Sequence, residues 1–269
     1  MTRPGTIVLG LGFATLVPTA GNQALVVDSG NGVKVSGLII DAGPVNSPAL
    51  MTVGASGQGG APGDPDLVSD VFFRVGGAET SAASATVSLV DNASNSIIDD
   101  VWAWRADHGN AVGWTANKGD TGVVVTGDNV TAYGLAVEHY QKSEVVWSGQ
   151  GGTDVFFQNE LPYDVPSQPG WNESSAFSGY PAFQVANGVK TFTGYGLGSY
   201  VVFIQTSATL HVTEAFQAPQ APGVAFHDVF GLWIGGSAGL DSVVNGTGGA
   251  ATNATDANHA PVDVASYSG

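Results

Sequence analysis

Apolar positions along this chain fall in short runs and not at helical spacing. Residues 7–11 and 200–204 are strand-sized stretches of aliphatic and aromatic side chains, the pattern of strands buried on both faces. A β-rich run, often preceded by Asn, Gly or Asp, recurs at 32–41, 67–75, 96–105, 129–138, 153–160, 189–197 and 223–232. Setting Gly37, Val71, Val101, Gly134, Val155, Gly194 and Val229 in one column gives intervals between 21 residues (Gly134 to Val155) and 39 residues (Val155 to Gly194). A single copy cannot bury its inward face, whereas stacked copies pair their backbones about 4.8 Å apart and share one core. The expected fold class is therefore all-β, a single-stranded right-handed parallel β-helix (β-solenoid). One domain is expected over residues 1–247, with 248–269 as a loose C-terminal tail or cap.

In that register Leu38, Ile40, Phe72, Ile98, Leu135, Val137 and Phe156 point inward, and Asn92, Asn95, Asn110, Asn129 and Asn187 turn the corners. Insertions interrupt the repeat at 54–66, which is Gly/Pro-rich, and at 162–181, which is rich in Pro, Ser and aromatics.

Composition narrows the field. With 39 Gly, 13 Pro and 11% charged residues, long exposed helices are not expected. Hydrophobic residues make up 43% and mean hydropathy is +0.14, but no apolar run approaches the roughly 20 residues of a membrane span. Seven Lys+Arg against 23 Asp+Glu give a net charge of -16, which repels nucleic acid and anionic lipid and favours neutral over polyanionic substrates. The absence of Cys rules out disulfides and thiol chemistry. The opening Met-Thr-Arg-Pro-Gly lacks the order of a signal peptide, so any export signal is expected to have been removed or never present, and a secreted location is expected from the other features.

In the same alignment Arg105, Glu138 and Asn159 fall in one column, four positions on, and Ala106, His139 and Glu160 in the next. Neighbouring repeats then bring Glu138 and Glu160 within the roughly 5–9.5 Å used by paired glycosidase carboxylates. One would protonate a leaving glycosidic oxygen and the other act as base or nucleophile, with Arg105 or His139 tuning them and Asp107 and Asp164 in reserve. The plainer alternative is an Arg105–Glu138 ion pair between repeats. Strand alternation also sends adjacent columns to opposite faces, so the two glutamates need a turn between them.

Five of the six Trp lie between residues 102 and 171. Substrate contacts are assigned to Trp104, Arg105, His108, Trp114, His139, Lys142, Asn159, Tyr163 and Trp171, the last in a loop that packing explains least. The dipeptides Asp107-His108 and Glu138-His139 show no metal-ligand spacing, so no metal site and no cofactor is assigned, a structural Ca²⁺ among surface Asp residues being left open. The expected partner is a polysaccharide, with end-to-end or homo-oligomeric association through an uncapped edge as a further option.

The segments 101–109 (VWAWRADHG), 133–142 (YGLAVEHYQK) and 157–164 (FQNELPYD) resemble secreted microbial β-helix proteins of the pectate-lyase-like superfamily, similar to family 55 glycoside hydrolases and often found beside discoidin-type (coagulation factor 5/8-like) modules. The resemblance spans roughly residues 3–247. It implies a polysaccharide context, and family 55 implies a carboxylic acid acting on β-1,3-glucan with two tandem β-helices. The leading expectation is a secreted glycoside hydrolase acting on a neutral polysaccharide such as a β-glucan. The alternatives are a non-catalytic carbohydrate-binding or adhesive solenoid and a polysaccharide lyase.

Overall fold

The computed structural model describes residues 1, 3–28, 31–55, 60–78, 81–255 and 258–269. Part of the Gly/Pro-rich insertion, residues 56–59, lies outside them. Among the described residues the structure is nearly all β, with one short 3₁₀ turn at Gln168–Gly170. No helix among them is long and apolar enough to cross a membrane.

The chain passes back and forth between two sheets, adding a strand to each as it goes. The long-stranded sheet has nine strands: Ile7–Leu16, Lys34–Asp41, Leu67–Val75, Ile97–Arg105, Thr131–Glu138, Gly152–Glu160, Thr191–Val202, Gly223–Gly235 and Val262–Ser268. The first eight run parallel, and Val262–Ser268 closes the far edge antiparallel to Gly223–Gly235. Seven parallel strands, from Leu25–Val27 to Phe216–Gln217, form the second sheet.

A row of left-handed residues crosses the long sheet: Gly37, Asp70, Asp100, Gly134, Phe156, Gly196 and Asp228, with φ between 48° at Asp100 and 71° at Gly37. Each is skipped by the pairing between its neighbours, so every strand bends at the same level. This row is the true repeat mark. The sequence column met it at Gly37 and Gly134 but ran one residue off at Val71, Val101, Val155 and Val229, and two off at Gly194.

The shift reassigns two core positions. Phe73 and Phe157 fill the interior, while Phe72 is half-buried and Phe156 is 63% exposed. Leu38, Ile40, Ile98, Leu135 and Val137 are buried as expected. Of the five corner asparagines, Asn95 and Asn129 adopt positive φ, and the Asn129 amide donates to Asn95 Oδ1 across 3.3 Å. Where turns stack most closely, only glycine fits: a Cβ on Gly149 would lie 1.8 Å from the Gly127 carbonyl oxygen. Toward the last strands the interior is aromatic, with Trp147, Phe157, Phe183, Phe192, Phe216 and Phe226 in mutual ring contact.

Candidate active site

Corrected by one residue, the register puts Glu138 and Glu160 side by side. Trp104 pairs with Glu138, Gln158 pairs with Ala136, and the His139 amide donates to the Glu160 carbonyl at 2.8 Å. The two glutamates therefore share a row and a face, and no intervening turn is needed. About 4.8 Å separates such neighbours along the stack.

Other groups converge on the pair from the ends of the same strands. Trp102 Nε1 donates to Glu138 Oε2 at 2.8 Å, and the Tyr163 hydroxyl donates to Glu160 Oε2. His139 Nε2 stands 3.7 Å from both Asp107 Oδ1 and Glu160 Oε2, with its ring edge-on to Tyr163 at 4.4 Å. Asp107 in turn accepts from Trp104 Nε1 at 3.3 Å and meets His108 Nδ1 at 2.8 Å. Burial raises the Glu138 carboxyl above the usual range, and the Glu160 and Asp107 charges add to this against hydrogen bonds from Trp102 and Gln158. Burial lowers His139 despite those two carboxylates, so its ring is neutral at pH 7.

His139 has φ 67°, a left-handed conformation uncommon outside glycine, and Arg105 holds it there. The Arg105 side chain is fully buried and donates to the His139 and Asn117 carbonyls at 3.0 and 2.8 Å. It also grips both oxygens of Asp164 at 3.0 and 2.8 Å and lies 5.4 Å from the Trp114 ring centroid. Arg105 is thus paired with Asp164 and not with Glu138, and the pair ties the loop bearing Tyr163 to the residue after Glu138.

Several residues chosen from the sequence play other parts. Arg105 and Asn159 are fully buried and Asp164 is committed to Arg105, so none offers a free group to substrate. Lys142 donates to Asp120 at 2.7 Å. Trp171 is 1% exposed, packed on Tyr180 and Phe203 with its Nε1 on the Gln141 carbonyl, and presents no ring face to a sugar. Glu138, Glu160, Asp107, His139, His108, Trp104 and Tyr163 do come together, and Trp114 joins them through Arg105. The sequence reading counts Trp102 among the clustered aromatics of a sugar surface but assigns it no contact. The signal for one was its spacing of two from Trp104, which sets both indoles on one face, stacked at 5.3 Å. The sequence reading passed over Glu144, fully buried behind the site, whose two oxygens accept from the Tyr140 amide at 3.1 Å and whose carboxyl burial pushes well above the usual range. Among the described residues no three His, Asp or Glu side chains are placed to hold a metal ion.

With this geometry in hand, residues 1–160 match the LAM55 pectate lyase-like domain. The chain belongs to that family. The curated exo-β-1,3-glucanase of Streptomyces sp. (strain SirexAA-E / ActE) is 46% identical over 247 residues, covering 91% of this chain and 40% of that protein. The structure of sacteLam55A from Streptomyces sp. SirexAA-E superposes with a TM-score of 0.94 at 44% identity, over 99% of this chain and 48% of that one. A glutamate-to-alanine variant of sacteLam55A in complex with glucose gives 0.93 at 42% identity. The LAM55 chain described here thus spans a little under half the length of these relatives.

Proposed function

We propose that this LAM55 chain, wound as a single right-handed parallel β-helix, carries the hydrolytic centre of a secreted glycoside hydrolase acting on β-1,3-glucan. The observation that carries the proposal is the Glu138–Glu160 pair on one face, ringed by Trp102, Tyr163, His139 and Asp107. Similarity to a bacterial exo-β-1,3-glucanase supports the substrate class.

Glycoside hydrolysis needs one carboxyl that gives its proton to the departing oxygen and one carboxylate that either takes a proton from the attacking water or itself attacks the anomeric carbon. Two carboxyls packed together and partly desolvated cannot both ionise cheaply, which favours that division of labour. The Tyr163 hydroxyl fixes the Glu160 side chain, with the His139 ring 3.7 Å away. Elimination chemistry is disfavoured because Arg105 and Lys142, the basic groups it would recruit, are committed to Asp164 and Asp120.

The test is oligosaccharide release from β-1,3-glucan by wild type, Glu138→Gln and Glu160→Gln, with folding followed by circular dichroism. Each variant should lose about 10²-fold or more in kcat while staying folded. An aryl β-glucoside with a good leaving group should spare whichever variant lacks the proton donor. Wild-type rates from both variants would sink the proposal.

A further inference from the structure

Phe156 stands out from its row. The other six positions of that row are Gly37, Asp70, Asp100, Gly134, Gly196 and Asp228, residue types that tolerate positive φ through a missing Cβ or a short polar side chain; on the edge strand Ile7–Leu16, Gly12 and Phe13 also have positive φ, but the Phe13 ring is stacked on Phe72 at 5.3 Å. Phe156 holds φ 68° with a ring that is 63% exposed, so strain of order 1–3 kcal/mol is borne with little burial in return. Its sister Phe157 already fills the core.

The surroundings show what the exposed ring faces. Beside it, on the next strand, a Cβ on Gly196 would meet nothing within 4 Å, so the sheet has an open shelf there. Beyond the shelf stand Tyr195 and His227, their rings parallel within 16° and 5.0 Å apart, and the exposed carboxylate of Asp228. On the other side Tyr133 is 47% exposed. The shelf lies on the same outer face as the carboxylate pair, four residues before Glu160 along its strand, or about 13 Å at roughly 3.3 Å per residue.

We infer that Phe156, Tyr195, His227 and Asp228 form a second binding surface for a neutral glucan chain, distinct from the carboxylate pair and on the same face. Flat rings offer apolar faces to the C–H side of pyranose rings, and Asp228 accepts hydrogen bonds from hydroxyls. Asp100 and Asp228 flank the shelf with negative charge and exclude polyanions. The choice of ligand rests on the glucan reading above.

The test is depletion by insoluble β-1,3-glucan of wild type, Phe156→Asn and Gly196→Asn, with thermal melting and turnover of an aryl β-glucoside measured in parallel. Asn suits a left-handed site, so Phe156→Asn should melt at the wild-type temperature or above it. Its apparent Kd for the polymer should weaken about fivefold to tenfold, the worth of one aromatic stacking contact, with the aryl glucoside rate unchanged. Gly196→Asn, which fills the shelf, should weaken retention similarly. Retention of Phe156→Asn equal to wild type, or wild type that the polymer does not hold at all, overturns the assignment. So does a shift from oligomer to monomer on Phe156→Asn in sedimentation, which would make the patch a contact between copies. Glu138→Gln and Glu160→Gln that turn over normally would remove the catalytic reading and leave the shelf standing on retention alone.

Discussion

Arg105 grips Asp164 through two parallel hydrogen bonds at 3.0 and 2.8 Å, with the guanidinium buried and the carboxylate 17% exposed. This bidentate pair is the strut behind the Glu138–Glu160 face, because the same guanidinium fixes the His139 carbonyl while Asp164 anchors the turn that carries Tyr163. Removing one partner leaves an uncompensated buried charge, which costs about 3–5 kcal/mol. Asp164→Leu and Arg105→Met should each lower the urea midpoint strongly. The double variant Arg105→Met/Asp164→Leu should recover part of the loss, because no lone charge then remains. A double variant that loses the sum of the two singles would show that the pair has no such coupling.

The one-residue correction at Phe72 and Phe73 gives a sharp contrast. Phe73 is fully buried, whereas Phe72 lies on the outer face between Phe13 and Trp102. Phe73→Ala should destabilise by about 3–5 kcal/mol and Phe72→Ala by much less. Denaturant midpoints of the two variants check this, and equal losses would return the register to the one read from the sequence.

How far the sequence spoke is clearest at these places. Recurring β-rich runs announced stacked parallel strands, because a core shared by neighbours imposes the same inward pattern on every copy. The register slipped because the level of alignment is set by backbone conformation: a left-handed residue can be Gly, Asp or, at position 156, Phe, and a hydrophobic alignment fell on only two of the seven, Gly37 and Gly134. The carboxylate pair was legible as residues but not as a row, since one skipped position reverses the face of everything after it. Nor does a list of side chains say that Arg105 turns inward to Asp164, a choice made by a partner 59 residues away.

Trp171 shows the converse, a loop residue that proves to be core. Its ring lies against Tyr180 and Phe203, and its Nε1 bonds to the Gln141 carbonyl at 3.0 Å. Trp171→Ala should therefore act on stability, with a loss of about 3–5 kcal/mol, and leave glucan affinity of the folded fraction unchanged. Binding isotherms taken well below the variant's melting temperature separate the two effects, and weakened affinity there would restore a substrate role.

Asp91 predicts a pH dependence with a definite sign. It ends the strand Ala83–Asp91, is fully buried, and accepts hydrogen bonds from the Ser96 hydroxyl and from the Ala93 amide at 3.0 Å. Burial outweighs those bonds and pushes its carboxyl up to about 7. In the unfolded chain the same group titrates near its ordinary value of about 3.9. Between those values the folded state binds the extra proton, so its contribution is complete below about pH 4 and is lost as pH rises to about 7, at up to about 1.4 kcal/mol per pH unit. Asp91→Asn keeps an acceptor for the Ala93 amide and cannot titrate. Subtracting its stability from that of wild type removes the buried Asp154 and Glu144, which also titrate abnormally, from the comparison. That difference, from urea denaturation at half-unit steps between about pH 4 and about pH 8, should fall steadily to about pH 7 and then level off. A flat difference across the range would mean that Asp91 is ionised in the folded protein, with a compensating cation or water at its carboxylate.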